Sequence, residues 1–278
     1  MKENHNIRGS LLVAVIWALV IFGILGAGLF SITSSWLRTA KFLEERVESE
    51  FSARAAFNYA LAQINNDETV YDTLKEFREV KEKTLGLAGF SYTVTDEESK
   101  LNINTASREC LARLQGLDSD TAQKIRESTL RPYDLKEELL FVDGVNREAY
   151  DNIKDCITTQ GSGAVNINTV SFPVMVALGL SQELAERIVQ YRAGADGIEG
   201  DEDDGCFENP SSVIETLKDV TGLYGQDESI LKVLISQGKL VVSSEYLTLE
   251  ITTKMPGRET GEYFVTLDNG RIKQWREL

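Results

Sequence analysis

Seven carboxylates crowd the thirteen residues from Asp196 to Glu208, and three glycines let that segment fold back on itself. Oxygen-only donors on a flexible loop suit Ca²⁺, which takes six to eight of them, better than Mg²⁺ or a transition metal. The fixed spacing of an EF-hand, with Gly at the sixth loop position and Glu at the twelfth, is absent. The candidate ligands are Asp196, Glu199, Asp201, Asp203 and Asp204, with Glu208 in reserve. A solvated, like-charged loop is the other reading of the same run.

Other chemistry is scarce. The single histidine, His5, lies in a polar N-terminal stretch, which excludes His-based triads and imidazole metal sites from the rest of the chain. Cys110, Cys156 and Cys206 are scattered, with no CxxC spacing, so three buried structural thiols and one disulfide plus a free thiol both stay open. The chain has no Gly-rich phosphate loop, no nucleophile elbow and no acid pair set in a visible pocket; Glu137-Glu138 reads as helix surface. The expectation is a non-enzyme.

These residues sit in a chain of 278 residues, 42% hydrophobic and 26% charged, an ordinary globular balance. Its net charge of −15 repels polyanions at long range. Lys2 and Arg8 precede an uncharged run from Gly9 to Leu37, in which Leu11 to Phe30 supplies the roughly 20 apolar residues that a hydrocarbon core requires. The positive flank places the N-terminus in the cytoplasm. A secretory signal cleaved near Gly26-Ala27-Gly28 is the alternative. Against it, helical apolar spacing continues through Trp36, Phe42, Val47, Phe51, Phe57 and Ile64.

The segment Leu101-Asn-Ile-Asn-Thr105 recurs 64 residues later as Val165-Asn-Ile-Asn-Thr169. After each copy comes a Gly (Gly116, Gly179), with Ala six residues on (Ala122, Ala185) and Ile nine residues on (Ile125, Ile188). Gly144 to Ile153 and Gly222 to Leu231 keep the offset of nine. This is a duplicated helix-hairpin-helix pattern, in which Gly permits the tight turn and the Ala and Ile face the first helix. The Asn-Thr-Ala-Ser and Asn-Thr-Val-Ser starts offer oxygens to cap the first helix of each copy.

Period-two alternation marks strands at Phe90 to Thr95, Leu240 to Thr253, Glu262 to Leu267 and Arg271 to Trp275, with Asn269-Gly270 a hairpin turn between the last two. The helix is expected to fade around residues 74–83, and residues 96–100 to form a polar turn. The fold class is therefore α+β: a long transmembrane and amphipathic helix, an α/β head with antiparallel strands, and an inserted all-α domain. The expected segments are a leader at 1–9, a membrane span at 10–37, and helix continuation with a first strand at 38–100. An insert at 101–240 follows, with repeats near 101–160 and 165–238, and closing strands at 241–278.

The short basic leader ending in Gly, the apolar helix running on amphipathically, and the paired Ile-Asn-Thr motifs together resemble the type II secretion minor pseudopilins of the K family. That resemblance implies a pilin-like head and cleavage between Gly9 and Ser10 by a prepilin peptidase, followed by methylation. Ser10 stands where the family usually has Phe or Met. Most pilins carry Glu at the fifth mature position; this chain has Ala14, as the K family does, which implies a subunit with nothing stacked above it. The resemblance further implies I-type and J-type minor pseudopilins as partners, calcium sites, and a single-pass inner-membrane protein with a periplasmic head at the pseudopilus tip, serving export of folded proteins.

A membrane-anchored, competence-like DNA receptor is the rival, and a solitary membrane-anchored calcium-binding protein is a third reading. DNA-binding hairpins usually carry a second Gly two residues after the first, so that backbone amides can approach a phosphate. Here those positions hold Asp118, Asn146, Ser181 and Tyr224. Residues 101–240 carry 13 Lys plus Arg against 24 Asp plus Glu, a net of −11. Phosphate neutralisation needs the opposite sign, so no nucleic-acid partner is expected.

Overall fold

A computed structural model describes residues 4–85, 88–221, 223, 225–255 and 258–278. Met1 to Glu3, with Lys2 of the leader, and Gly222 and Tyr224 of the last hairpin lie outside the described residues.

Helix α1 runs unbroken over Asn4–Asn65 and takes in the backbone of Gly9 and Ser10. Its residues up to Phe51 form one compact unit and Ser52–Leu278 another. In the first unit the apolar side chains from Leu11 to Phe30 are exposed, and α1 is the one helix among the described residues long and apolar enough to cross a membrane. Ala14 is among the exposed positions.

In the second unit α1 contributes Ala53, Ala56, Phe57 and Ala60, whose spacing of three, four and seven puts them on one face. Three alanines in that stripe let a sheet approach closely. The sheet has five antiparallel strands in the order β1 (Lys81–Leu85), β2 (Ala88–Asp96), β7 (Tyr246–Met255), β8 (Arg258–Asp268) and β9 (Arg271–Glu277). Its inner face supplies Phe90, Tyr92, Val94, Leu249, Ile251, Tyr263 and Val265 to the core, and Phe57 meets Trp275 edge-on at 5.9 Å.

Three expectations are corrected here. The helix ends at Asn65 rather than fading near residue 83; the short helix α2 (Leu74–Arg78) and strand β1 occupy that region. Lys81-Glu-Lys-Thr-Leu85 carries no apolar alternation because it is the charged edge of the sheet, where charge blocks strand addition. The proposed strand Leu240 to Thr253 is two: β6 (Leu240–Val241) belongs to the insert and β7 to the sheet. Strand β8 begins four residues before Glu262. The β8–β9 turn is as read, with Asn269 at φ 51° and Gly270 at φ 73° in the left-handed geometry of a two-residue hairpin.

Between β2 and β7 lies the insert, with its own core. It holds β3 (Leu101–Asn102), α3 (Arg108–Ala112), α4 (Ser119–Glu127), α5 (Arg147–Ile153), β4 (Ile157–Thr158), β5 (Val165–Asn166), α6 (Phe172–Leu178), α7 (Gln182–Arg192), α8 (Val213–Thr221), α9 (Gln226–Ser236) and β6. The helical reading holds, and two short parallel ladders that it did not foresee, β3 with β4 and β5 with β6, close each copy. Gly116, Gly144 and Gly179 take φ near +90° to +105°, as the hairpin requires. Ala122, Ile125, Ile153, Ala185, Ile188 and Leu231 are all buried.

Candidate functional site

The two Ile-Asn-Thr motifs share a backbone bond, a loop bond and a clamp. Ile103 N donates to Thr158 O at 2.9 Å and Ile167 N to Val241 O at 2.9 Å. The first Asn of each folds its own loop: Asn102 Oδ1 accepts from Asn104 N at 2.8 Å, and Asn166 Oδ1 from Asn168 N at 3.0 Å. The second Asn makes a two-bond clamp on a distant backbone. Asn104 accepts from Tyr133 N and donates to Tyr133 O; Asn168 does the same with Phe207, all at 2.8–2.9 Å. An amide side chain carries donor and acceptor side by side, and it meets here the N–H and C=O of a single residue. The capping expectation is corrected in part: Ser107 Oγ accepts from Cys110 N at 3.2 Å, but Ser171 makes no side-chain cap bond, and the asparagines brace loops instead.

The clamps show where the acidic segment comes from. Asn104 reaches 29 residues ahead to Tyr133, whereas Asn168 reaches 39 ahead to Phe207. The extra length is the connection after α7, which holds Asp196 to Asp204. In this loop Asp196, Asp201 and Asp203 bring one carboxylate oxygen each within 4.8 Å of one another. Asp201 is pushed above the usual carboxylate range by its hydrogen bond to Asp203, and the same bond pulls Asp203 down.

The other two candidate ligands stand apart from that trio. Glu199 is taken up by Arg192, whose guanidinium donates to it while Nη1 donates to Ile167 O at 3.0 Å and Val170 O at 2.8 Å. Arg78 of α2 pairs with Glu199 from the other side. Asp204 Oδ2 accepts from Gly200 N at 2.6 Å, and its Oδ1 is buried with no partner among the described residues. Glu208 is exposed and outside the trio. Arg192 is the residue that sequence reasoning missed: nothing in a helix ending Gln-Tyr-Arg marks that arginine as 3% exposed and the tether of the loop.

Where a second hairpin Gly would sit, each described position holds an N-cap. Asp118 Oδ1 accepts from Thr121 N at 2.7 Å, Asn146 Oδ1 from Ala149 N at 2.8 Å, and Ser181 Oγ from Leu184 N at 3.1 Å. Those amides are satisfied from within the chain. All three cysteines are free and half-buried.

A chain of the GspK-GspI-GspJ complex from the enterotoxigenic Escherichia coli Type 2 Secretion System superposes with a TM-score of 0.61, covering 84% of this chain and 97% of that one at 14% identity. The fold is pseudopilin-like. Residues 96–158 match the helix-hairpin-helix motif family, the first of the two copies. Two curated relatives, both called endonuclease/exonuclease/phosphatase family domain-containing protein 1, align over part of the chain. The Danio rerio protein is 28% identical over 141 residues, 42% of this chain and 26% of that protein. The Xenopus laevis protein is 30% identical over 140 residues, 41% of this chain and 25% of that protein. The chain spans about a quarter of the length of these curated relatives.

Proposed function

We propose that this chain is a minor pseudopilin of the K kind: a non-enzymatic, single-pass inner-membrane subunit that caps the type II secretion pseudopilus with I-type and J-type partners. The observation that carries this reading is the split sheet. One pilin-like head is made from strands on both sides of a duplicated helical insert, in a chain whose N-terminal helix exposes an apolar run fit to cross a membrane. The insert adds bulk to the head, and Ala14 provides no carboxylate to meet the terminal amine of a subunit above. Both features suit the last subunit of a stack.

N-terminal sequencing of the chain, expressed with and without a prepilin peptidase, tests the reading. The expected mature chain begins at Ser10 only when the peptidase is present, and co-purifies with I-type and J-type subunits. An intact Met1, or cleavage beyond Ala27, removes the assembly role.

Within this reading the acidic loop holds Ca²⁺. Three hard oxygen donors already converge from Asp196, Asp201 and Asp203, and carboxylates of this kind suit a hard cation. Asp204 supplies a buried oxygen without a partner on the same loop. The ion's part is structural, holding together carboxylates that otherwise repel. Calcium is expected to raise the unfolding temperature of the wild-type chain over that in chelator, and Asp203→Asn to abolish the difference.

DNA binding is the second reading, favoured by the helix-hairpin-helix match. The filled N-caps and the net charge of −11 over residues 101–240 weigh against it. A salt-sensitive gel shift with duplex DNA would restore it. The relatives' partial match leaves the non-enzymatic reading in place, because it reaches about a quarter of their length.

A further inference from the structure

The sheet of the head ends in two edge strands, β1 and β9, and their charges differ in kind. On β1, Glu82 pairs with Lys254 at 2.8 Å and Lys83 Nζ lies 5.0 Å from the centre of the Tyr59 ring, so both are engaged within the head. Strand β9 carries Arg271, Lys273 and Arg276 against one carboxylate, Glu277, in a chain whose net charge is −15. All four are exposed. None of the three cations forms an ion pair among the described residues: Lys273 Nζ donates to the neutral Gln160 Oε1 at 2.8 Å, and the Arg276 guanidinium lies 6.0 Å from the centre of the Phe264 ring. Asp268 stands across from Arg271 in the register without pairing to it. Ile272 and Leu278, 51% and 72% exposed, set apolar side chains among the cations.

Leu278 N donates to Glu262 O at 3.0 Å. Alternation along an antiparallel pair then commits the N–H and C=O of Gln274 and Arg276 to β8, and turns those of Trp275 and Glu277 to the open side. We infer that β9 takes an added strand, an extended acidic segment of a partner protein in which carboxylates alternate with apolar residues. Backbone bonds give such a strand its affinity, and side chains give it specificity. Opposite charges on facing residues of neighbouring strands attract and like charges repel. The cations of β9 therefore select an acidic strand and disfavour the β9 of a second copy. Lys and Arg on an edge guard against pairing at large, and an acidic strand is the class that they leave admissible. This surface is separate from the capping role, since it needs neither the membrane span nor Ala14.

Fluorescence anisotropy with the full chain in detergent tests the inference, using a labelled peptide of about seven residues, a usual strand length, in which Glu alternates with Val. Saturable binding that weakens as salt rises is expected. A peptide with Lys in place of Glu should bind about tenfold more weakly, and so should the Glu–Val peptide N-methylated at every residue, which has no amide to give the edge. Arg271→Glu combined with Arg276→Glu changes only exposed side chains outside any ion pair among the described residues, and should reverse the preference in favour of the Lys–Val peptide. With the Glu–Val peptide bound, the amides of Trp275 and Glu277 should exchange with solvent about tenfold more slowly. Absence of saturable binding, equal binding of the N-methylated peptide, or a preference for Glu–Val that survives the double substitution overturns the inference. Unchanged exchange at Trp275 and Glu277 does the same. Self-association of the chain that the double substitution abolishes would assign the edge to a second copy and overturn it as well.

Discussion

Arg192 shows how much one side chain can carry. Its five donors span two carbonyls of the second Ile-Asn-Thr loop and the Glu199 carboxylate, a geometry that only a planar guanidinium offers. Burial lowers its pKa and Glu199 offsets only part of that, so the pair stands or falls together. Arg192→Met is expected to lower stability by about 3 kcal/mol, the usual cost of orphaning a buried partner. Arg192→Lys should recover less than half of that, read as the shift in urea midpoint at constant slope. Asp72 works in the opposite sense. Its folded pKa of about 7 lies above the ordinary value of 3.8, so between those limits the folded state binds the extra proton. Burial likewise raises Asp96 and Glu98. Stability should therefore rise as pH falls from 7 towards 5, by at most about 1.4 kcal/mol per unit for each group. In Asp72→Asn the rise should be smaller; an identical pH profile in the two proteins would show that Asp72 is ionised throughout.

At the scale of elements, the hairpin turns are the least forgiving positions. A Cβ on Gly144, at φ +98°, would lie 2.7 Å from Thr121 Oγ1, whereas one on Gly270, at φ +73°, meets nothing within 4 Å. Both positions carry left-handed strain of roughly 1 kcal/mol for alanine, and only the first adds a clash. Gly144→Ala is expected to cost about 2 kcal/mol more than Gly270→Ala in denaturant unfolding. The hairpins were legible in the sequence because Gly, Ala and Ile recur at fixed offsets that one geometry explains. The Asn-Gly turn was legible for the same reason, since two left-handed residues demand those types. Strand β1 was not, because an edge strand shows charge where an inner strand shows alternation. The single strand read from Leu240 failed because alternation alone does not show the break at Ser243-Ser244-Glu245, across which β6 pairs parallel with β5 and β7 antiparallel with β2 and β8. In the acidic loop the sequence marked the carboxylates, but not that Glu199 is consumed by Arg192, a contact set by where α7 ends.

For the whole molecule, the telling fact is that the two cores share no residues. The head core draws on residues 53–94 and 247–267, and the insert core on residues 101–242. The insert also leaves and re-enters the head at neighbouring strands: Asp96 of β2 is paired across from Leu247 of β7. Opposed residues of an antiparallel pair lie about 5 Å apart at Cα, so two residues can bridge the gap that the insert now fills. Joining Asp96 to Leu247 through Asn-Gly should leave a head with its strand order intact, because every buried residue of its core remains. The cut frees Asp96, which the insert keeps 3% exposed beneath Thr169 and Asn166, so its carboxylate regains water instead of being stranded. The shortened chain should resist proteolysis as the intact head does, and under the proposed function it should no longer occupy the pseudopilus tip if the insert supplies the bulk that stops the stack. Aggregation of the shortened chain would mean that the head depends on the insert to fold. A shortened chain that still capped a pseudopilus would shift the proposed capping role from the insert to Ala14.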